Sequence, residues 1–188
     1  SKILDINNLL KIDINKVGID KDNYLSNLKG TLVFKEQQIV RGKLEGFFSE
    51  DEKLKLTVNT NGNDKVTTLF LDQAKPIVRR YKFIKGFEKG KLDFYSSNTG
   101  EESSSTLRIY NFKLKELPGL TKVLTLASLQ GIADILSGEG IRFDEFEMNF
   151  RNKKDLITID EIYAIGPAIS VLMNGYIEKN RLISLRGT

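Results

Sequence analysis

The sequence predicts a mostly β protein of the α+β kind: a curved antiparallel meander sheet that forms a groove, with two inserted helices at about residues 73–82 and 118–136. Three observations predict this fold. Short segments of alternating polarity follow one another between turn residues. Glycines recur inside these segments, where they let a sheet curve or bulge. The regular strand–helix alternation of a doubly wound sheet is absent.

The first half of the chain contains the clearest strand signals. The segment LLKIDINKVGI alternates apolar with polar side chains, which is typical of a half-buried strand. LKGTLVF and QIVRGKLEGFF follow, joined by a tight KEQ connection. KLKLTVNTN and KVTTLFL are joined by NGND, which is a strong hairpin signal. We therefore expect consecutive antiparallel strands here.

The first predicted helix interrupts this pattern at DQAKPIVRRYKF, where Asp72 is the expected cap and Pro76 is tolerated in the first turn. Strands resume with GKLDFYSS and STLRIYNFKLKE, and NTGEESS between them is expected to be an exposed loop. The chain finishes with GIRFDEFEMNF, which contains an apparent bulge, then LITIDEIYAI, and a final hairpin around KNR.

The second predicted helix follows Pro118 and ends before Gly138, the usual placement of these residues. A membrane span is disfavoured because Lys122, Gln130 and Asp134 would be costly at bilayer depth. The apolar arc of this helix is nevertheless wide, and the strands near it carry large apolar residues at both parities. Such a chain must fold on itself, dimerise or hold an apolar ligand.

Composition restricts the available chemistry. The 188 residues include no cysteine and no histidine. A disulfide scaffold and a thiolate zinc site are therefore excluded, and the commonest general base and metal ligand are missing. Carboxylates, lysines, hydroxyls and tyrosines remain, but no P-loop, nucleophile elbow or dinucleotide fingerprint accompanies them. We predict a protein that is not an enzyme and that has no cofactor and no metal.

Two charged groups have alternative interpretations. Glu145 and Glu147 share a strand face opposite Phe146 and Met148, so they could form the carboxylate pair of a hydrolase or merely solvate the sheet. A basic cluster lies between residues 75 and 91, where it could face phosphates or form a solvated rim. Aromatic residues interleave with this cluster, but no nucleic-acid-binding motif surrounds it, so we predict no nucleic-acid partner.

The segment 116–188 resembles the C-terminal region of the AsmA-like family, which includes YhdP-like and TamB-like envelope proteins of Gram-negative bacteria. The resemblance rests on LASLQGIADILSGEGIRFD, AIGPAISVLMNG and LISLRGT, and upstream on TLFLDQAKPIVRRY and FEKGKLDF. It is good over about residues 64–188 and general before them. Lys75 and Pro76 depart from the family pattern, as does the absence of a segment after the final Gly-Thr. The chain is therefore expected to be a single fragment, 1–188, of a larger β-groove protein.

The resemblance implies a periplasmic protein that is anchored in the bacterial inner membrane by parts outside this chain. It also implies a bridge between membranes, in which an apolar groove shields phospholipid acyl chains during transport for outer-membrane biogenesis. Envelope proteins are further expected partners. The alternative is a structural or assembly module that binds protein partners through sheet edges, without a lipid groove.

Candidate residues follow from this expectation. The predicted wall of the lipid groove consists of Leu120, Leu124, Ala127, Phe143, Phe146, Met148 and Phe150. The predicted contacts with headgroups or a membrane surface are Arg79, Arg80, Lys82 and Lys85.

Overall fold

The computed structural model describes residues 8–79, 86–115, 138, 140–178 and 182–187, with only the backbone of 182 and 183. Within these ranges, eleven strands form one open, curved sheet in which every strand lies beside its neighbours in sequence. All ten pairings are antiparallel. The predicted mostly β meander is confirmed.

The strands are β1 (Asn8–Gly18), β2 (Tyr24–Lys35), β3 (Gln38–Phe47), β4 (Lys53–Asn61), β5 (Asp64–Leu71), β6 (Phe87–Thr99), β7 (Glu102–Leu114), β8 (Ile141–Lys153), β9 (Leu156–Ile165), β10 (Ser170–Glu178) and β11 (Leu182–Gly187). A single helical turn, α1 (Lys75–Val78), lies between β5 and β6.

The predicted tight turns are found between the early strands. Glu36 and Gln37 connect β2 to β3 with φ values of 48° and 65°. Left-handed dihedrals at both central residues suit a two-residue hairpin, because they match the twist of the flanking strands. Gly62, with a φ of 61°, turns the chain between β4 and β5. The final hairpin of β10 with β11 is also present, while its turn at 179–181 lies outside the described residues.

Neither predicted helix is shown by the described residues. The structure does not show the expected helix over 73–82: its described part is the four residues of α1, and residues 80–82 lie outside the description. Asp72 does not cap α1, since the N-cap is Ala74 and no side chain caps it. The Asp72 carboxylate instead accepts a hydrogen bond from the Lys53 amide at 3.0 Å. The helix predicted at 118–136 falls entirely outside the described residues.

The prediction of an exposed loop at NTGEESS is wrong. β6 continues to Thr99 and β7 starts at Glu102, so most of this polar segment pairs across the hairpin. Polar contacts accompany this pairing: Thr99 Oγ1 donates to Asp64 of β5 at 2.7 Å. Next to the segment, Ser105 Oγ donates to Ser96 Oγ at 2.9 Å. Thr–Ser and Ser–Ser pairs of this kind stabilise neighbouring strands.

One end of the sheet contains the main core. A buried cluster extends from β5 to β9 and includes residues of the α1 segment: Leu71, Ala74, Val78, Phe87, Leu92, Ile109, Phe112, Ile141, Phe143 and Ala164. Ala74 is anchored there by its amide, which donates to the carbonyl of Gly90 at 2.7 Å. The α1 segment therefore packs against the apolar side of β5–β9 at this end.

A shift in alternation brings the aromatic residues of the core onto one face. Phe143 and Phe146 both contact the cluster although strict alternation would separate them. The register of β7 with β8 is the same on both sides of Asp144, so the predicted bulge at this point of β8 is not shown. The same shift occurs beside Gly90 in β6, where φ is 87°. As a result Phe112 stacks between Phe87 and Phe143, with ring centroids 5.3 and 5.2 Å away.

Candidate functional site

The two faces of the sheet differ in polarity. Because residues directly opposite each other on paired strands share a face, the register defines rows of side chains that cross the sheet. We call the side that carries the buried cluster the apolar face and the other side the polar face. Three rows of the apolar face can be followed through the strand pairings.

The inner row lies beside α1 and consists of Leu54, Leu71, Leu92, Ile109, Phe146, Ala164 and Val171. The middle row consists of Ile12, Gly30, Leu44, Leu56, Leu69, Phe94, Leu107, Met148, Ile162, Met173 and Gly187. It includes one residue from each of the eleven strands, and none of them is polar.

The outer row is mixed. It runs from Leu10, Leu32, Gly42 and Val58 through Thr67, Ser96 and Ser105 to Phe150, Ile159, Gly175 and Leu185. Its three central members carry small hydroxyl side chains. The apolar face is therefore bounded by α1 on one side and, at β5–β7, by hydroxyls on the other.

Exposure differs between the rows. Leu71, Leu92 and Ile109 of the inner row are buried. By contrast, five consecutive members of the middle row, from β4 to β8, are only half-buried: Leu56, Leu69, Phe94, Leu107 and Met148. The described residues thus present a strip of partly exposed apolar side chains that crosses the centre of the sheet.

The residues predicted to line a groove fall into three groups: half-buried, buried, and outside the described residues. Phe146, Met148 and Phe150 lie half-buried on the apolar face, in the inner, middle and outer rows. Phe143 is buried in the aromatic stack. The remaining candidates, Leu120, Leu124 and Ala127, lie outside the described residues.

Sequence reasoning missed much of the middle row. The predicted wall residues do not include Leu56, Leu69, Phe94 or Leu107, although each lies in a segment with strand-like apolar positions. The alternation identifies one face of each strand. Only the register shows that the apolar faces of successive strands align, so this information comes from the structure.

The polar face carries ion pairs that connect neighbouring strands. Lys29 Nζ lies 3.5 Å from Asp13, and Lys55 Nζ lies 4.0 Å from Glu45. Glu45 is also the register partner of Lys29, so the four residues form a ladder of alternating charge across β1–β4. Farther along, Arg151 Nη2 approaches Asp160 at 2.6 Å. These pairs keep one side of the sheet hydrated and specify its register.

Glu145 and Glu147, the candidate hydrolase pair, belong to this face. Arg108 Nε donates to Glu147 at 2.5 Å, and Asn149 Nδ2 donates to its other oxygen at 2.7 Å. The hydrogen bond from Arg108 lowers the pKa of Glu147 below its usual value. A general acid needs the opposite shift. The arrangement of Glu147 therefore favours cross-strand pairing over acid catalysis.

The other carboxylate is held by a tyrosine. Tyr163 Oη donates to Glu145 at 2.9 Å. This hydrogen bond, together with burial and the negative charges of both glutamates, raises the pKa of Tyr163 to about 12. The phenol therefore stays protonated at neutral pH and remains a hydrogen-bond donor to the carboxylate.

The basic cluster is partly neutralised. Lys75 pairs with Glu88, and Lys91 Nζ lies 2.9 Å from Asp72. Arg79 is exposed at the C-terminal end of α1. The other three predicted headgroup contacts, Arg80, Lys82 and Lys85, lie outside the described residues, so the structure places only Arg79 of that group.

Two shallow depressions lie on the polar face. One, of about 270 Å³, is lined by Phe70, Asp93, Tyr95 and Arg108 among others. Within the described chain, Asp93 Oδ1 is buried without a hydrogen-bond partner. The other, of about 580 Å³, lies over β9–β11 and is lined by polar groups such as Asp160, Tyr176 and Arg186.

The described ranges contain no cluster of three acidic residues arranged to hold a metal ion. They also contain no helix that is both long and apolar enough to cross a membrane. Comparison with known proteins gives no matching protein-family model, no matching curated protein and no matching solved structure. The AsmA-like resemblance of the sequence therefore stays a prediction.

Proposed function

We propose that the apolar face is a non-enzymatic binding surface for lipid acyl chains, within a protein that transports phospholipid between membranes for outer-membrane biogenesis. The proposal rests mainly on one observation: the middle row crosses all eleven strands without a polar side chain, and its central members are only partly buried. Apolar surface of this extent on one side of a sheet needs a cover, and an acyl chain supplies one.

The dimensions of the face suit an elongated apolar ligand. Neighbouring strands lie about 4.8 Å apart, so the strip from β4 to β8 extends about 19 Å across the sheet. This approaches the length of an extended acyl chain lying perpendicular to the strands. Each methylene that leaves water contributes about 0.8 kcal/mol. The continuous row offers no fixed end point, which suits a ligand that moves along it.

The borders of the strip suit the two ends of a phospholipid. On one side the α1 segment and the aromatic stack close the face. On the other side the hydroxyls of Thr67, Ser96 and Ser105 provide a polar border for a headgroup. In this proposal the periplasm is the location, and membrane anchoring is left to parts of a longer protein outside this chain.

A photo-crosslinking experiment tests the apolar face directly. Phe94 and Tyr95 are consecutive aromatic residues, of which Phe94 lies in the middle row and Tyr95 on the polar face with 48% exposure. Each is replaced in turn by benzoylphenylalanine, and the two proteins are irradiated with phosphatidylethanolamine–phosphatidylglycerol vesicles. We expect phospholipid adducts by mass spectrometry at position 94 and at least tenfold fewer at position 95.

Lipid extraction from gently purified protein, followed by native mass spectrometry, provides an independent measurement. Bound phospholipid in the unmodified protein is the expected result. Protein that is consistently free of lipid, combined with equal adduct yields at positions 94 and 95, would contradict the proposal. Circular dichroism of both variants checks that the sheet is intact.

A second candidate is a structural or assembly module that binds protein partners through sheet edges. The edge strand β1 favours it, because Leu9, Leu10 and Ile14 are exposed there. An exposed edge strand is a template for pairing with another chain. Association that depends on β1, in protein that binds no lipid, would favour this candidate.

A further inference from the structure

Among the described residues, the strand β1 forms one edge of the sheet, and its pairing partner there is β2. Within this part of the chain no strand pairs with the outer side of β1, which leaves that side as a template for another strand. Proteins usually protect such edges with bulges, prolines or inward-pointing charges. In β1 the exposed side chains include large apolar ones instead: Leu9 is 59% exposed and Leu10 is 47% exposed. Such an edge has the properties of an association surface.

The sequence of β1 is complementary to itself around Ile12. Read outwards from this residue, Lys11 is matched by Asp13, and Leu10 is matched by Ile14. If two copies of β1 pair antiparallel with Ile12 opposite Ile12, each Lys11 faces Asp13 of the second copy. Each Leu10 then faces Ile14 of the second copy. Opposite charges and apolar pairs are the directly opposed combinations that stabilise antiparallel strands.

The charge ladder of the polar face leads to the same register. Along β4, β3, β2 and β1 the signs alternate as Lys55, Glu45, Lys29 and Asp13. The ladder stops at the open edge with a carboxylate. The next strand should therefore place a cation opposite Asp13, and Lys11 of a second copy does so in the register centred on Ile12.

We propose that β1 is a docking surface for a second copy of the same chain, which pairs antiparallel with its register centred on Ile12. The two-fold axis then runs perpendicular to the sheet, so both apolar faces lie on the same side. The two sheets become one continuous sheet, and the middle row continues from one copy into the other. This inference goes beyond the proposed lipid binding and does not rest on it.

Charge reversal at two positions tests the pairing. Lys11→Glu places like charges opposite Asp13 of the second copy, and Asp13→Lys places like charges opposite Lys11. Each variant alone should weaken the dimer about tenfold or more in sedimentation equilibrium, because both symmetry-related pairs become repulsive. An equimolar mixture should restore association, since the heterodimer again contains two opposite-charge pairs.

Lys43→Glu is the matched control. Lys43 is exposed in β3, away from both edges, so its reversal changes the net charge by the same amount as Lys11→Glu without touching the proposed interface. We expect it to dimerise like the unmodified protein. Unmodified protein that is monomeric at about 100 µM, or a Lys11→Glu variant that associates as strongly as the control, would overturn the proposal.

Disulfide trapping tests the register. The chain contains no cysteine, so a single introduced thiol can link only two copies. In the proposed pairing the two Ile12 residues are opposite each other, about 5 Å apart at Cα, which suits a disulfide. Two Leu10 residues are four positions apart along the strands, about 14 Å, and cannot be linked.

Mild oxidation should therefore convert Ile12→Cys to a covalent dimer, while Leu10→Cys stays largely monomeric on non-reducing gels. Equal crosslinking of the two variants would overturn the register. Crosslinking of neither would overturn docking at β1. An interface through β11 or through the apolar face would also leave both cysteine variants without a crosslink. It would, however, leave the Lys11→Glu variant dimeric.

Discussion

The two faces of this sheet are built from the same strands but are stabilised in different ways. At the α1 end of the apolar face, Leu71 and Phe87 are almost completely buried, and the aromatic stack spans three strands. On the polar face, neighbouring strands are joined by ion pairs whose members are largely exposed. Packing should therefore dominate stability on the first face, while charge pairing mainly sets register on the second.

The largest expected effect comes from Phe112→Ala. Phe112 is buried and stacks with Phe87 and Phe143, so its truncation leaves a cavity under α1. We expect a loss of about 3–5 kcal/mol in the free energy of unfolding, measured by urea denaturation. Tyr95→Ala removes an aromatic ring from the polar face, where it is half-exposed, and should cost about 0.5 kcal/mol. Similar losses for the two variants would contradict the contrast between the faces.

Gly90→Ala should have the next largest effect. A Cβ at this position would lie 3.1 Å from Cβ of Phe112 and 3.1 Å from Cζ of Phe87, and the backbone φ is 87°. Gly100 has a φ of 64° with open space around its Cα, so Gly100→Ala isolates the backbone contribution, about 1–2 kcal/mol. A larger loss for Gly90→Ala in thermal unfolding would show that the aromatic stack needs the glycine. Equal losses would show backbone strain alone.

Glu147→Gln tests the polar face at acidic pH. Because Arg108 lowers the pKa of Glu147, this carboxylate stabilises the fold above its unfolded pKa, near 4.5, and the contribution is lost as the pH falls through the lower folded value. We expect the variant to lose about 1 kcal/mol at pH 7 in urea unfolding. The difference from the unmodified protein should shrink towards pH 3. A difference that does not depend on pH would argue against the ion pair.

The smallest effect is expected for Tyr163→Phe at neutral pH, about 0.5 kcal/mol, since one hydrogen bond to Glu145 is lost. The alkaline range is more informative. The folded pKa of Tyr163 is about 12, above its usual value of 10.0, so the tyrosine's contribution is complete below pH 10 and is lost as the pH rises towards 12. The variant should lack this part of the alkaline loss in a thermal-melt series. Identical pH profiles would contradict the raised pKa.

The sequence is sufficient to predict the meander because its signals are local. The tight turn at KEQ and the hairpin at NGND depend on a few adjacent residues, and both are present. The polar segment around Gly100 shows the limit of such reasoning. Its serines resemble a loop by composition, yet Ser103 and Ser104 pair with Asn98 and Ser97 across β6 and β7.

The candidate surface is harder to predict because it depends on contacts between distant residues. Asp72 has the character of a helix cap, but the amide of Lys53 and the ammonium of Lys91 compete for its carboxylate. The alternation in GIRFDEFEMNF predicts apolar side chains in β8, which are found. It also predicts a bulge, which the constant register of β7 with β8 does not show. The sequence of β8 alone cannot show that Met148 aligns with Leu107 and Ile162.

The order of the strands has a consequence for how the chain folds. Because each described strand pairs with its neighbours in sequence, most contacts between the described strands close short loops, and folding can spread from one hairpin to the next. The junction of β7 with β8 is different, since residues 115–140 separate the two strands. Loop closure there costs more entropy. We therefore expect the β7–β8 pairing to form late in folding. Because the buried cluster and the Phe112–Phe143 stack cross this junction, we expect it, once formed, to be among the pairings best protected in hydrogen exchange.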